Sequence, residues 1–170
     1  EVVEGDLGAP DLGLAPDLVR RLRRDLDVFV HCAGLVDFNP DLRKAIASNV
    51  DATLRVADFV ERCDHASLLH ISTSYVAGRR YGEIPEVITP DYAPEASDYD
   101  AEQELEVARE RVAQLVQAHE AASFTTAARE HVLGELRASG RPTPNERTLE
   151  TLARKHQREK LKDALVDEGM

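Results

Sequence analysis

The sequence predicts an α/β fold in its first half, followed by a second half made of helices. Short β-branched runs alternate with helical stretches over residues 1–74, a pattern typical of βαβ units and a parallel sheet. From residue 100 onward the chain is almost wholly helix-forming, with only short breaks. We therefore expect two domains, one over residues 1–98 and one over residues 99–170.

The first domain is expected to contain three strands and two helices. Val2–Glu4 is interpreted as the end of a strand that is already in progress. Pro16–Arg24 predicts a helix, because proline suits a first turn and apolar residues recur on one face. Val28–His31 predicts the next strand, and Leu42–Cys63 predicts a long amphipathic helix that packs on the sheet. Ser67–Ser72 predicts a further strand, which we expect to be buried.

The remaining elements are a loop and three helices. Residues 78–98 are rich in proline, glycine and acidic side chains, which predicts a loop. Gly140 is expected to close one helix, and Asn145 is expected to cap the next. We interpret the helical tract as a surface hairpin or lid. Its helices are predicted at residues 100–122, 125–139 and 146–168.

Composition excludes several classes of partner and location. The chain has 32 acidic and 21 basic residues, and a net charge of -11 repels nucleic acid and anionic lipid surfaces. No apolar run approaches the roughly 20 residues of a membrane-crossing helix. Two cysteines, Cys32 and Cys63, are too few for a disulfide scaffold. No histidine pair has the i, i+4 spacing of a helical zinc site, so we expect no metal. The expected location is the cytoplasm.

Three short strings follow the predicted strands at the edge where open parallel sheets bind their ligands: Gly5–Leu7, His31–Gly34 and Ser72–Gly78. In the first, the Asp6 carboxylate can accept a hydrogen bond from an adenine amino group while Leu7 covers the ring. The alternative is an aspartate that starts a turn after glycine.

The other two strings can also face a nucleotide. Ala33 and Gly34 have no bulky side chains, so the backbone can approach a ribose and a pyrophosphate closely. The alternative is a tight turn between a strand and a helix. The Thr73 hydroxyl can polarise a carbonyl and stabilise the charge that develops during hydride transfer. A Ser/Thr cluster after a strand can equally be a simple cap.

In their order and spacing the strings resemble the extended short-chain dehydrogenase/reductases. The middle section of that superfamily runs Gly-Asp-Leu, helix, strand ending in His-x-Ala-Ala/Gly, helix with Asn-Val, strand, then Ser-Thr/Ser-x-x-Val-x-Gly. The resemblance implies a partial Rossmann-like, doubly wound parallel sheet followed by an all-helical insertion, with Thr73 as the active-site hydroxyl. For Asn49 the alternative is a side chain tied to a neighbouring backbone carbonyl. The implied cofactor-binding residues are Asp6, Leu7, Cys32, Ala33, Gly34, Asn49 and Ser72.

Within that superfamily, Gly5–Leu14, Val30–Phe38 and His70–Val76 are similar to fatty acyl-CoA reductases and carrier-protein thioester reductases, the male-sterility NAD-binding family. This implies NADPH as cofactor, with NADH not excluded, and an acyl-CoA or acyl-carrier-protein thioester as substrate. The helical tract is similar to an insertion in bacterial alcohol-forming fatty acyl-CoA reductases. No Gly-x-x-Gly-x-x-Gly string and no Tyr-x-x-x-Lys string is present. We therefore interpret the chain as an internal piece of such a reductase, and expect this piece alone not to transfer hydride.

Two alternatives remain open at this point. The same three strings occur in nucleotide-sugar epimerases and dehydratases and in steroid-type dehydrogenases, although the helical tract is longer than those enzymes need. From another class, the chain can be a non-catalytic dinucleotide-binding or interaction module whose helices form a docking surface.

Overall fold

The computed structural model describes residues 2–73, 78, 82–87 and 100–169. The chain divides into two compact units. One consists of Glu1–Val36 with Lys44–Glu104, and the other of Asp37–Arg43 with Leu105–Met170. The first unit carries the strands and the second is helical. The predicted domain division at residues 98 and 99 stays a prediction.

The first unit is built around one pair of parallel strands. Strand β1 (Val28–His31) lies beside β2 (Ser67–His70), with Val28 opposite Ser67 and His31 opposite His70. Parallel strands need a long crossover between them, which the intervening helical segment provides. A mixed α/β fold with parallel pairing is thereby confirmed. The described residues contain a sheet of two strands, so the structure does not show the full doubly wound sheet.

The crossover changes its helical geometry along its length. Helix α2 (Leu42–Ala45) leads into a π-helical segment (Ile46–Asp51), and α3 (Ala52–Glu61) continues from it. The predicted helix over Leu42–Cys63 is therefore in the right place. Its π-helical segment was not predicted, because apolar residues at three-or-four spacing fit either geometry. Such segments often occur at functional sites.

The core of the first unit lies between two helices and one face of the sheet. Helix α1 (Pro16–Asp25) begins at its proline, as predicted, and buries Val19. From α3, the Phe59 side chain is only 2% exposed and meets the Phe29 ring of β1 edge to face, with the ring centroids 6.3 Å apart. The Arg23 guanidinium lies over the Phe59 ring, 5.6 Å from its centroid. Phe59 thus joins both helices to the sheet.

Two strand predictions were wrong in detail. The second strand ends at His70 rather than Ser72, and all four of its residues are exposed rather than buried. Among the described residues, helices α1 and α3 pack on one face of the sheet, and Val30 on the opposite face is 54% exposed. Val2–Glu4 forms no strand and is exposed. A segment becomes a strand only where its backbone forms hydrogen bonds with a neighbouring strand, and within the described part of the chain the pairing joins β1 and β2 and does not include this segment.

The second unit contains α5 (Ala122–Ala138), α6 (Glu146–Glu168) and all of α4 (Ala101–Glu120) except its first four residues. Gly140 closes α5 with φ at 68°, and the Arg141 N–H donates to the Leu136 carbonyl at 2.9 Å. The Asn145 Oδ1 atom accepts from the Thr148 N–H at 2.9 Å and caps α6. Both caps confirm the sequence prediction. None of the helices in the described ranges is long and apolar enough to cross a membrane.

Truncation of Phe59 should show how much the first unit depends on this ring. We expect Phe59→Ala to lower the free energy of unfolding by about 3–5 kcal/mol, because it removes a buried aromatic side chain and leaves a cavity. The matched control is Leu54→Ala on the same helix, where the side chain is 56% exposed. That control should cost less than about 0.5 kcal/mol. Urea denaturation of both variants measures the difference, and equal losses would contradict this account of the core.

Candidate functional site

A groove of about 420 Å³ opens at the carboxyl ends of β1 and β2. Its position follows from the strand register, because His31 and His70 are opposite each other and end their strands at the same edge. The turn after β1, the π-helical segment and the chain after β2 all contribute to its walls. The predicted site residues that line it are Cys32, Ala33, Gly34, Asn49, Ser72 and Thr73.

Asn49 fastens the turn that forms one wall of the groove. Its Oδ1 atom accepts from the Leu35 N–H at 2.6 Å, and its Nδ2 atom donates to the Leu35 carbonyl at 3.0 Å. A Cβ atom on Gly34 would lie 3.3 Å from Asn49 Oδ1, so glycine leaves room for this contact. The side chain is therefore tied to backbone, which was the alternative reading of Asn49. Contact with a nicotinamide ribose stays a prediction.

Thr73 and Ser72 form the opposite wall. Both are exposed and follow β2, where the Ile71 N–H still donates to the His31 carbonyl at 2.8 Å. This last bond holds the start of the serine/threonine string against the end of β1. The string continues through residues 74–77, which lie outside the described residues, as do the tyrosines at 75, 81, 92 and 99.

Asp6 and Leu7 do not line this groove. The Asp6 N–H donates to the Leu12 carbonyl at 2.8 Å, and its Oδ1 atom accepts from the Gly8 N–H at 2.8 Å. Asp6 thus closes a turn, as the alternative reading had it. The half-buried Leu7 packs against the hydrophobic core. Their contact with an adenine ring stays a prediction.

His31 is a buried polar residue at this edge whose role the sequence analysis missed. It is 2% exposed, and its Nε2 atom lies 3.1 Å from Thr53 Oγ1. The Thr53 hydroxyl donates its own hydrogen to the Asn49 carbonyl at 2.9 Å, so it can only accept from His31. His31 therefore carries a proton on Nε2. The alternation along β1 was the available signal, since it places His31 on the same face as Phe29.

The His31 ring also stacks on the His70 ring, which lines the groove, with centroids 5.1 Å apart. Burial lowers the pKa of His31 below its ordinary value of 6.5, and the neighbouring His70 lowers it further. His31 is consequently neutral at physiological pH.

The two cysteines differ in their surroundings. Cys32 is exposed in the groove wall, whereas Cys63 is half-buried, and burial raises the pKa of its thiol. Both are free thiols. Across the described part of the chain no group of three or more histidine, cysteine, aspartate or glutamate side chains is arranged to hold a metal ion.

A family model described as male sterility protein, for an NAD-binding domain, matches residues 1–144, most of the chain. The chain belongs to this male sterility family. The expected kinship is thereby confirmed, and the family indicates a nicotinamide dinucleotide as the cofactor. The residues at the groove fit part of such a molecule: Ala33 and Gly34 leave the backbone accessible, and the volume lies within the roughly 300–1,000 Å³ of small-molecule sites.

Curated proteins that are similar to this chain are named as fatty acyl-CoA reductases. A probable fatty acyl-CoA reductase 5 from Arabidopsis thaliana is 33% identical over 86 residues, which cover 49% of this chain and 17% of the relative. The alcohol-forming fatty acyl-CoA reductase of Simmondsia chinensis is 32% identical over 87 residues, which cover 50% of this chain and 18% of the relative. Fatty acyl-CoA reductase 1 of Gallus gallus is 30% identical over 90 residues, covering 52% and 17%. The matched region spans less than a fifth of each relative.

The lowered pKa of His31 should make the stability of the protein depend on pH. Below pH 6.5 the unfolded chain binds a proton at this histidine that the folded chain resists, so the free energy of unfolding should fall as the pH drops through this value. We expect His31→Gln, which does not titrate, to remove this part of the pH dependence.

Urea denaturation between about pH 5 and pH 8 measures the effect. The control is His65→Gln at an exposed histidine of the same unit, which should leave the contribution of His31 in place. An unchanged pH dependence in His31→Gln would show that His31 is not the group responsible.

Proposed function

We propose that this chain is the part of an NADPH-dependent fatty acyl-CoA reductase that faces the nicotinamide and the thioester, in an enzyme that forms a fatty aldehyde or alcohol. The observation that carries the proposal is the groove at the ends of β1 and β2. It brings the Thr73 hydroxyl to the same edge as the Ala33–Gly34 turn, in a chain of an NAD-binding family. The names of the relatives support acyl-CoA as the substrate.

The side chains of the groove have separate tasks in this proposal. When bound, the nicotinamide dinucleotide would supply a hydride to the thioester carbonyl carbon, and the thiol would leave as the resulting adduct collapses to the aldehyde. Thr73 donates a hydrogen bond to the carbonyl oxygen, where negative charge grows during that transfer. Asn49 holds the turn through its two bonds to Leu35, so that the backbone at Gly34 stays in a fixed position beside the cofactor. A fixed donor and a fixed turn need no reorganisation during the reaction, which is why their positions matter.

The remaining predicted residues complete the cofactor site in the proposal. Cys32 and Ala33 contribute the turn, and Ser72 lies beside Thr73. Asp6 and Leu7 serve the adenine end of the dinucleotide. The helical unit acts as an insertion or lid of the reductase, and the protein works in the cytoplasm.

The proposal is tested on the complete open reading frame that encodes this chain. Purified protein is mixed with NADPH or NADH and with a long-chain acyl-CoA or the matching acyl-carrier protein. Loss of reduced-nicotinamide absorbance and mass spectrometry of the lipid products then report the cofactor, the thioester and the product. We expect oxidation of NADPH with acyl-CoA. Turnover of a nucleotide sugar or a steroid alone would favour the alternative enzymes, and NADPH binding without turnover of any substrate would favour a binding module.

Thr73 provides the residue-level test. We expect Thr73→Val to lower kcat by about 100-fold or more with little change in KM, because it removes a donor that acts mainly in the transition state. Thr73→Ser keeps the hydroxyl and should retain most of the activity. If Thr73→Val reduces acyl-CoA as fast as the parent protein, Thr73 does not have the proposed role.

A further inference from the structure

We propose that His31 is a positioning residue for the groove and acts on it through Thr53 and Asn49. The inference rests on the proposed function for its kinetic consequence. The structural basis is a series of hydrogen bonds that begins at the buried His31 and ends at the turn after β1.

The chain of bonds has one possible direction. His31 Nε2 donates to Thr53 Oγ1 across 3.1 Å, and Thr53 Oγ1 donates to the Asn49 carbonyl across 2.9 Å. The side-chain amide of Asn49 then accepts from and donates to the backbone of Leu35. Each residue in this series is thus hydrogen-bonded to the next. A change at His31 can therefore be passed to the turn through this series of hydrogen bonds.

A histidine at this position needs an explanation beyond packing. His31 is 2% exposed, and a buried imidazole destabilises a fold unless its polar atoms are bonded. Phe29, on the same strand and the same face, shows that an apolar ring fits against these helices. The bond to Thr53, rather than the bulk of the ring, therefore accounts for a polar side chain at this position.

The position of the hydrogen bond between His31 and Thr53 shows which two elements it holds together. Thr53 lies two residues after the end of the π-helical segment and donates to the Asn49 carbonyl within it, so the bond from His31 ties that segment to the end of β1. On the other side, the His31 ring stacks on His70, whose side chain lines the groove. One imidazole therefore fixes the distance between the strand ends and the helix that presents Asn49.

Substitutions at His31 separate the effect of its hydrogen bond to Thr53 from the effect of its packing. His31→Leu fills the same space without a donor. His31→Gln places an amide nitrogen close to the Nε2 position, whereas the shorter His31→Asn places it closer to the Nδ1 position, out of reach of Thr53. We expect His31→Leu and His31→Asn to weaken NADPH binding and lower kcat by roughly tenfold each, and His31→Gln to stay within about twofold of the parent protein.

Thr53 provides the coupling test. We expect Thr53→Val to match His31→Leu, and the double variant to be no worse than either single one, because both remove the same bond. The control is His65→Gln at an exposed histidine, which should leave NADPH binding and kcat unchanged. Equal losses in His31→Leu and His31→Gln, or losses that multiply in the double variant, would overturn the inference.

Hydrogen exchange separates this inference from the proposed function. In His31→Leu and Thr53→Val the Leu35 N–H should exchange roughly tenfold faster than in the parent protein, whereas in His31→Gln it should not. This readout needs neither substrate nor turnover. If no thioester is reduced but Leu35 exchange follows this order, the proposed function fails and the structural inference stands. Unchanged exchange of Leu35 in His31→Leu overturns the inference whatever the activity.

Discussion

The parallel register of two short strands is the constraint on which the rest of the first unit depends. Because His31 is opposite His70, both strands end at one level, and the residues that follow them leave the sheet side by side. A shift of one residue would turn the side chains of one strand to the other face. If β1 were the shifted strand, His31 would lose its hydrogen bond to Thr53, and Phe29 would lose its ring contact with Phe59. The same register thus places a buried hydrogen bond beneath the groove and an aromatic contact in the core.

The crossover between the strands joins these two regions. Its π-helical segment presents Asn49 to the turn after β1, and the following helix inserts Val56 and Phe59 into the core. The geometry of the groove and the stability of the core therefore both depend on neighbouring stretches of one continuous helical segment. The family match places this arrangement among NAD-binding domains, and the relatives named as fatty acyl-CoA reductases support the reaction that we propose for it.

Periodicity and local chemistry predicted the elements well, because both depend on nearby residues. The helix at Pro16, the strand at Val28 and the cap at Asn145 all follow from such local signals. Burial of the second strand was not predictable in this way, since it depends on what covers each face. The bonds of Asn49 to Leu35 and of His31 to Thr53 join residues 14 and 22 positions apart. A single sequence contains no local signal for such pairs. The order of the motifs did predict that Asn49, Gly34 and Thr73 lie at one edge of the sheet, where the structure has all three lining the groove, while their roles stay predictions.

The continuous helical segment also limits how the length of the chain can vary. Each residue of an α-helix turns the following side chains by about 100°. A deletion or insertion of one residue in the α-helical part of this stretch, between Ala52 and Val56, would therefore rotate Phe59 relative to Asn49. The number of residues between groove and core is therefore itself a structural feature of this protein.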